Sequence, residues 1–191
     1  LAIVGSESNT VVTIRPSVTT GSHTAGVPYN VILQPGECYQ LRNTSDAPND
    51  LYGALIKSDE PVAAFGRHQV ANIPSSGVWY ADHLVEQILP LNTWGNDFYT
   101  APLATRTGGD TIRVLAGYDS TTVFLNGAAV GTIDRGKFLE FLLTTGARIS
   151  ADRPVLVAQY ANSSDADGVV NSDPFMVQVA ATRHYIQGYA I

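Results

Sequence analysis

IKSDEPV, residues 56–62, and ISADRPV, residues 149–155, carry the same Ile, Asp, Pro and Val at matching positions. In each, the Asp closes a turn, and the residue before proline is pushed into an extended conformation. The Pro then opens the next strand, where its missing N–H does least harm. Working outward, the run from Ser8 to Ile14 pairs with that from Asp119 to Leu125, and Gln34 to Leu41 with Asp134 to Phe141. DHLVEQI, residues 82–88, pairs with DPFMVQV, residues 173–179. The order is kept throughout, and with small gaps residues 1–103 align with residues 112–190. Self-similarity of this kind predicts one folding unit present twice, over 1–103 and 104–191.

The shared positions predict β structure. Polar turns of Ser, Asn and Asp lead into β-branched strands, because those side chains hydrogen-bond nearby backbone. Gly36 and Gly136 suit hairpin positions that need a positive φ. Apolar residues recur with period two or in short continuous runs, and no 3.6-residue stripe persists over a dozen positions. KFLEFLL, residues 137–143, is the best helix candidate, and the alignment of residues 137–141 with residues 37–41 makes it a strand. The second unit reads as eight short strands: IRVLAG, TTVFLN, AAVGTI, FLEFLL, ARIS, VLVAQY, PFMVQV and HYIQGYAI. The expected fold is therefore all-β, two tandem β-sandwich-like repeats of about eight short strands each. Consecutive β-propeller blades are the alternative. The apolar runs at Leu1 and Ile191 read as strands cut from a longer repeat protein, and as edges able to pair with neighbouring copies.

Composition narrows the function. Of 191 residues, 15% are charged, against roughly 25% in ordinary soluble domains. The net charge is −6 and the eleven basic residues are scattered, which excludes nucleic acid as a partner. Cys38 is the single cysteine, so no intrachain disulfide forms, and it reads as a small buried apolar side chain. No apolar run reaches the length of a membrane-spanning helix. No P-loop, dinucleotide fingerprint or G-x-S-x-G occurs.

The stretch SDEPVAAF (58–65) with Gly66 and His68, DHLVEQILP (82–90), Asn92-Thr93-Trp94-Gly95 and Ala101-Pro102-Leu103 resembles the IgGFc-binding protein N-terminal domain family. ADRPVLVAQY (151–160) and the run from Asp173 to Val177 fit the same pattern. The resemblance implies an extracellular or cell-surface setting and a role in adhesion, matrix or surface assembly. Members of that family often carry a cysteine pair flanking the loop before DHLVEQ; here Val70 and Ala81 stand there. Packing by Trp79 and Tyr80 is the expected substitute.

Four sites are candidates. Trp79 and Tyr80 lie in a loop bounded by Gly, Ser and Pro and form the leading contact patch, since aromatic rings bury much area with few rotors to freeze. The rival is that both pack over the sheet end. His68, Asp82, His83 and Glu86 are near in sequence and, if residues 69–81 fold back, can converge as partner contacts, as a zinc or acid–base site, or as a hydrogen-bonded anchor beneath Trp79 and Trp94. The oxygen-rich run 162–168 followed by Asp173 offers Asp165, Asp167 and Asp173 to calcium, the one cofactor left open. Asn43 and Asn162 head N-x-[ST] triplets in expected surface loops.

The reading that follows is a non-enzymatic extracellular or cell-surface module for binding or structure, in adhesion, matrix or filament assembly. Its partner is a protein or glycan, or neighbouring copies through terminal edge strands. A calcium-dependent carbohydrate-binding module and a metal-dependent hydrolase around His68 and His83 are the other readings.

Overall fold

The computed structural model describes residues 1–45, 50–75, 77–170 and 172–190. Residue 191, the end of the expected strand HYIQGYAI, thus lies outside the described residues. Fourteen strands dominate: β1 (Ala2–Gly5), β2 (Thr10–Arg15), β3 (Tyr29–Leu33), β4 (Cys38–Gln40), β5 (Leu55–Ser58), β6 (Val62–Ala71), β7 (Asp82–Gln87), β8 (Gly95–Tyr99), β9 (Asp110–Ala116), β10 (Thr121–Leu125), β11 (Ala128–Ile133), β12 (Phe138–Leu143), β13 (Arg148–Tyr160) and β14 (Met176–Val179). Among the described residues one α-helical turn, α1 (Ser164–Asp167), and two 3-10 turns, Leu91–Thr93 and Thr182–His184, accompany them. The chain is all-β, as its period-two patterning predicts.

Two compact units divide it, Leu1–His68 with Val85–Leu89, and Gln69–Leu84 with Pro90 onward. In the first, one sheet runs β4-β1-β6-β7 and another β3-β2-β5. Alternate residues of both supply the core: Ile3, Val12, Ile14, Leu33 and Leu41 are buried together. In the second, β11-β10-β13-β9-β12 form a path to which β8 and β14 attach through β13. Its core gathers Phe98, Ile112, Val114, Val123, Ile149, Val155 and Val157. A propeller blade strings four consecutive strands into one sheet; neither strand order does so.

β13 unites what reads in sequence as two strands, ARIS and VLVAQY. Its first residues pair with β10 and β8 and its later ones with β9 and β14, the β8 register shifting between Ser150 and Val155. That break holds Asp152-Arg153-Pro154. In the first unit the aligned residues Asp59-Glu60-Pro61 separate β5 from β6 outright.

The turns are stapled by side chains. In the first unit the Val11 N–H donates to Asp59 Oδ1 at 2.8 Å, Thr10 Oγ1 to the Glu7 carbonyl at 2.8 Å, and the Gly36 N–H to the Gly5 carbonyl at 2.9 Å. In the second, the Thr122 N–H donates to Asp152 Oδ1 at 2.8 Å, Thr121 Oγ1 to the Tyr118 carbonyl at 2.7 Å, and the Gly136 N–H to the Ala116 carbonyl at 3.0 Å. Gly36 and Gly136 take φ of 76° and 77°, and Asn9 and Ser120 take 59° and 54°.

Three expectations are corrected. β1 is no edge: β4 and β6 flank it on either side, because its short apolar run is buried rather than left for a neighbour. HYIQGYAI forms no strand among the described residues; the backbone turns at Thr182–His184, and the side chains of Arg183 and His184 bond the carbonyls of Asn92 and Thr93. Cys38 is exposed, since Tyr39 takes the inward position of the three-residue β4.

Candidate functional site

β6 and β7 lead into and out of residues 72–80, and the second unit holds this loop at its base. Ala71, Ile73 and Leu84 are buried against Ala158 and Tyr160 of β13, with Met176 alongside. Asn72 Nδ2 donates across the loop to the Val78 carbonyl at 2.6 Å. Beyond that base the chain carries its largest side chains outward: Trp79 is 76% exposed and Tyr80 66% exposed. The two rings therefore do not hold the loop by packing, which corrects the expectation drawn from the missing cysteine pair. Tyr80 also sits at φ 68°, a left-handed conformation that costs a non-glycine residue about 1 kcal/mol. Strain of this kind persists only where surrounding structure imposes it.

Residues 163 and 165 hold the loop from a second side. The Ile73 N–H donates to Ser163 Oγ at 3.1 Å, the Ser163 N–H to the Ile73 carbonyl at 2.8 Å, and the Trp79 N–H to Asp165 Oδ2 at 3.4 Å. Arg106 in turn fixes the segment 162–173. Its Nη1 lies 2.7 Å from Asp167 Oδ2, 2.7 Å from Ser172 Oγ and 3.1 Å from the Asn162 carbonyl, while Nη2 reaches the Asp173 carbonyl at 3.3 Å. Both charged side chains are buried, at 8% and 0% exposure.

That guanidinium occupies several of the oxygens on which the calcium reading relies. Asp167, the Asn162 and Asp173 carbonyls and Ser172 are oxygens a cation would take, and a cation already fills them as part of the chain. Asp165 is turned to the Trp79 amide instead. Among the described residues, no three His, Cys, Asp or Glu side chains come together to hold a metal ion. Of the residues in the zinc reading, His68 and Glu86 belong to the first unit and Asp82 and His83 to the second. His68 and His83 are each exposed on their strands, with the His83 N–H donating to Asp82 Oδ1 at 2.6 Å.

The two glycosylation triplets part company. Asn162 is 1% exposed; its Nδ2 donates to the Gly109 carbonyl at 2.9 Å and its Oδ1 accepts from Thr111 Oγ1 at 2.6 Å, so no glycan can be carried there. It is a core residue of a buried polar layer with Thr111, Gln159 and Asp110, because the carbonyl left by the turn at Gly109 needs a donor. Asn43 is half-buried, with Oδ1 accepting from the Ser45 N–H at 3.1 Å.

Sequence reasoning missed Arg106. Its only signal is an isolated cation before Thr107-Gly108-Gly109, and sixty residues separate it from Asp167. It also missed a polar cleft of about 500 Å³ lined by Thr19, Thr20, His23, Gln40, Arg42 and Asn43. Beside it the His23 ring stacks on Tyr29 at 3.6 Å, and Tyr29 hydroxyl meets Tyr39 hydroxyl at 3.0 Å. Burial, with that hydrogen bond behind it, pushes the Tyr29 phenol well above its ordinary range.

A family model described as IgGFc binding protein matches residues 1–191. A curated human protein named IgGFc-binding protein is 26% identical over 186 residues, which covers 94% of this chain. The chain spans 3% of that relative's length. No solved structure is matched.

Proposed function

Since the chain belongs to the IgGFc-binding protein family, we propose that it is a non-enzymatic protein-binding module working outside the cell, with Trp79 and Tyr80 as its contact. The observation that carries this reading is the aromatic pair itself: two large rings held outward on a loop whose base is buried and hydrogen-bonded. Preorganised, exposed aromatics are what binding energy concentrates on, because little conformational freedom is left to lose. The exposed His83, on the strand that leaves the loop, belongs to the same surface, and His68 is a further contact residue on the first unit. An adhesive or matrix role is the finer form of this reading. No helix among the described residues is long and apolar enough to cross a membrane.

Residues 1–103 and 104–191 are, on this reading, two copies of one unit. Support comes from the carboxylate staples of Asp59 and Asp152, which accept N–H groups at aligned positions, and from the matched left-handed residues.

The human relative's name makes an immunoglobulin Fc fragment the first probe to include. The general test captures secreted proteins on the immobilised chain and on its W79A/Y80A variant. A partner retained by the first and depleted tenfold or more on the second is expected. Equal retention of every captured protein on both would remove the aromatic pair as the contact.

A further inference from the structure

We propose that Arg106 is a positioning residue for the aromatic loop, an inference that rests on reading Trp79 and Tyr80 as the contact surface. The loop has two kinds of anchor. One is apolar and lies at its base, where Ile73 packs against β13. The other is polar and reaches its far end: Ser163 exchanges hydrogen bonds with Ile73, and Asp165 accepts from the Trp79 N–H. Both anchoring residues sit at the start of the segment 162–173, whose described residues belong to no sheet ladder.

What fixes that segment is one guanidinium. Arg106 spans it from the Asn162 carbonyl to the Asp173 carbonyl and pairs with the buried Asp167 between. Thr107 Oγ1 adds a bond to the Asp167 carbonyl at 2.8 Å. Planar guanidinium groups suit this task because five donors in a fixed fork hold several acceptors at once. An ammonium in the same place bonds fewer of them and in no fixed plane. Arg106 thus sets the height and direction of α1, and α1's neighbours set where Trp79 leaves the surface. The charge touches no partner; it acts through Ser163 and Asp165.

The experiment is amide hydrogen exchange on the whole chain, followed at the Ile73 and Trp79 amides and, for reference, at amides of β9 and β13. Arg106→Leu alone strands the buried Asp167 and can prevent folding, so the informative variant is the double R106L/D167L, which removes both charges. It is expected to speed exchange at Ile73 and Trp79 tenfold or more while β9 and β13 stay as protected as before. Arg106→Lys is expected to fall between. Unchanged exchange at Ile73 and Trp79, or a rise matched in β9 and β13, overturns the proposal, the latter because it marks general destabilisation. This readout needs no partner, so its failure is separate from failure of the contact reading, which W79A/Y80A tests alone.

Discussion

Single residues decide whether a polar signature is a site or a piece of core. Asn162 and Asn43 head indistinguishable triplets, yet one is sealed between Gly109 and Thr111 and the other reaches solvent. The triplet is a local pattern, and burial is set by the partner fifty residues away, so sequence could not separate them. Asn162→Ala is expected to cost about 2 kcal/mol in urea unfolding, since a buried carbonyl and hydroxyl lose their partner. Chain secreted from a eukaryotic host should carry glycan at Asn43 and none at Asn162 when peptides are mapped by mass spectrometry. Asp59 and Asp152 were legible, because a carboxylate before Arg/Glu-Pro-Val has only a turn to close. Asp59→Ala and Asp152→Ala should each lose about 1 kcal/mol, by the same amount, because each strands one exposed strand N–H.

Elements were legible where alternation alone defines them. The run FLEFLL is a strand, and β2 buries Thr10, Val12 and Ile14 on one face as period two requires. Alternation fails at joins. ARIS and VLVAQY become one strand because Asp152-Arg153-Pro154 bends the chain without ending it, and HYIQGYAI meets no partner strand among the described residues. In the segment between β13 and β14 the oxygens suggest a cation, and Arg106 brings one from a distant turn. The fit of that segment is tight: a Cβ added at Gly108 would lie 2.6 Å from the Ala166 carbonyl oxygen and 2.7 Å from Asp167 Cα. Those are backbone atoms and cannot swing away. Gly108→Ala is accordingly expected to cost about 1–3 kcal/mol in denaturant unfolding, and to raise exchange at the Trp79 amide with it.

For the molecule as a whole, composition and pattern were enough for the all-β class, while the family resemblance supplied the setting. Neither could say which face works, since exposure of Trp79 and Tyr80 depends on the buried base at Ile73 and the bracket at Arg106. On the proposed reading this face meets a protein partner. Photo-crosslinking tests it most directly, with a benzoylphenylalanine placed singly at Trp79, at Tyr80 and, as a control, at the exposed Val130 of β11, in the fluid that bathes the native protein. The account predicts a discrete adduct with a secreted protein from positions 79 and 80 and none from 130. An adduct from 130 with none from 79 or 80 would contradict it.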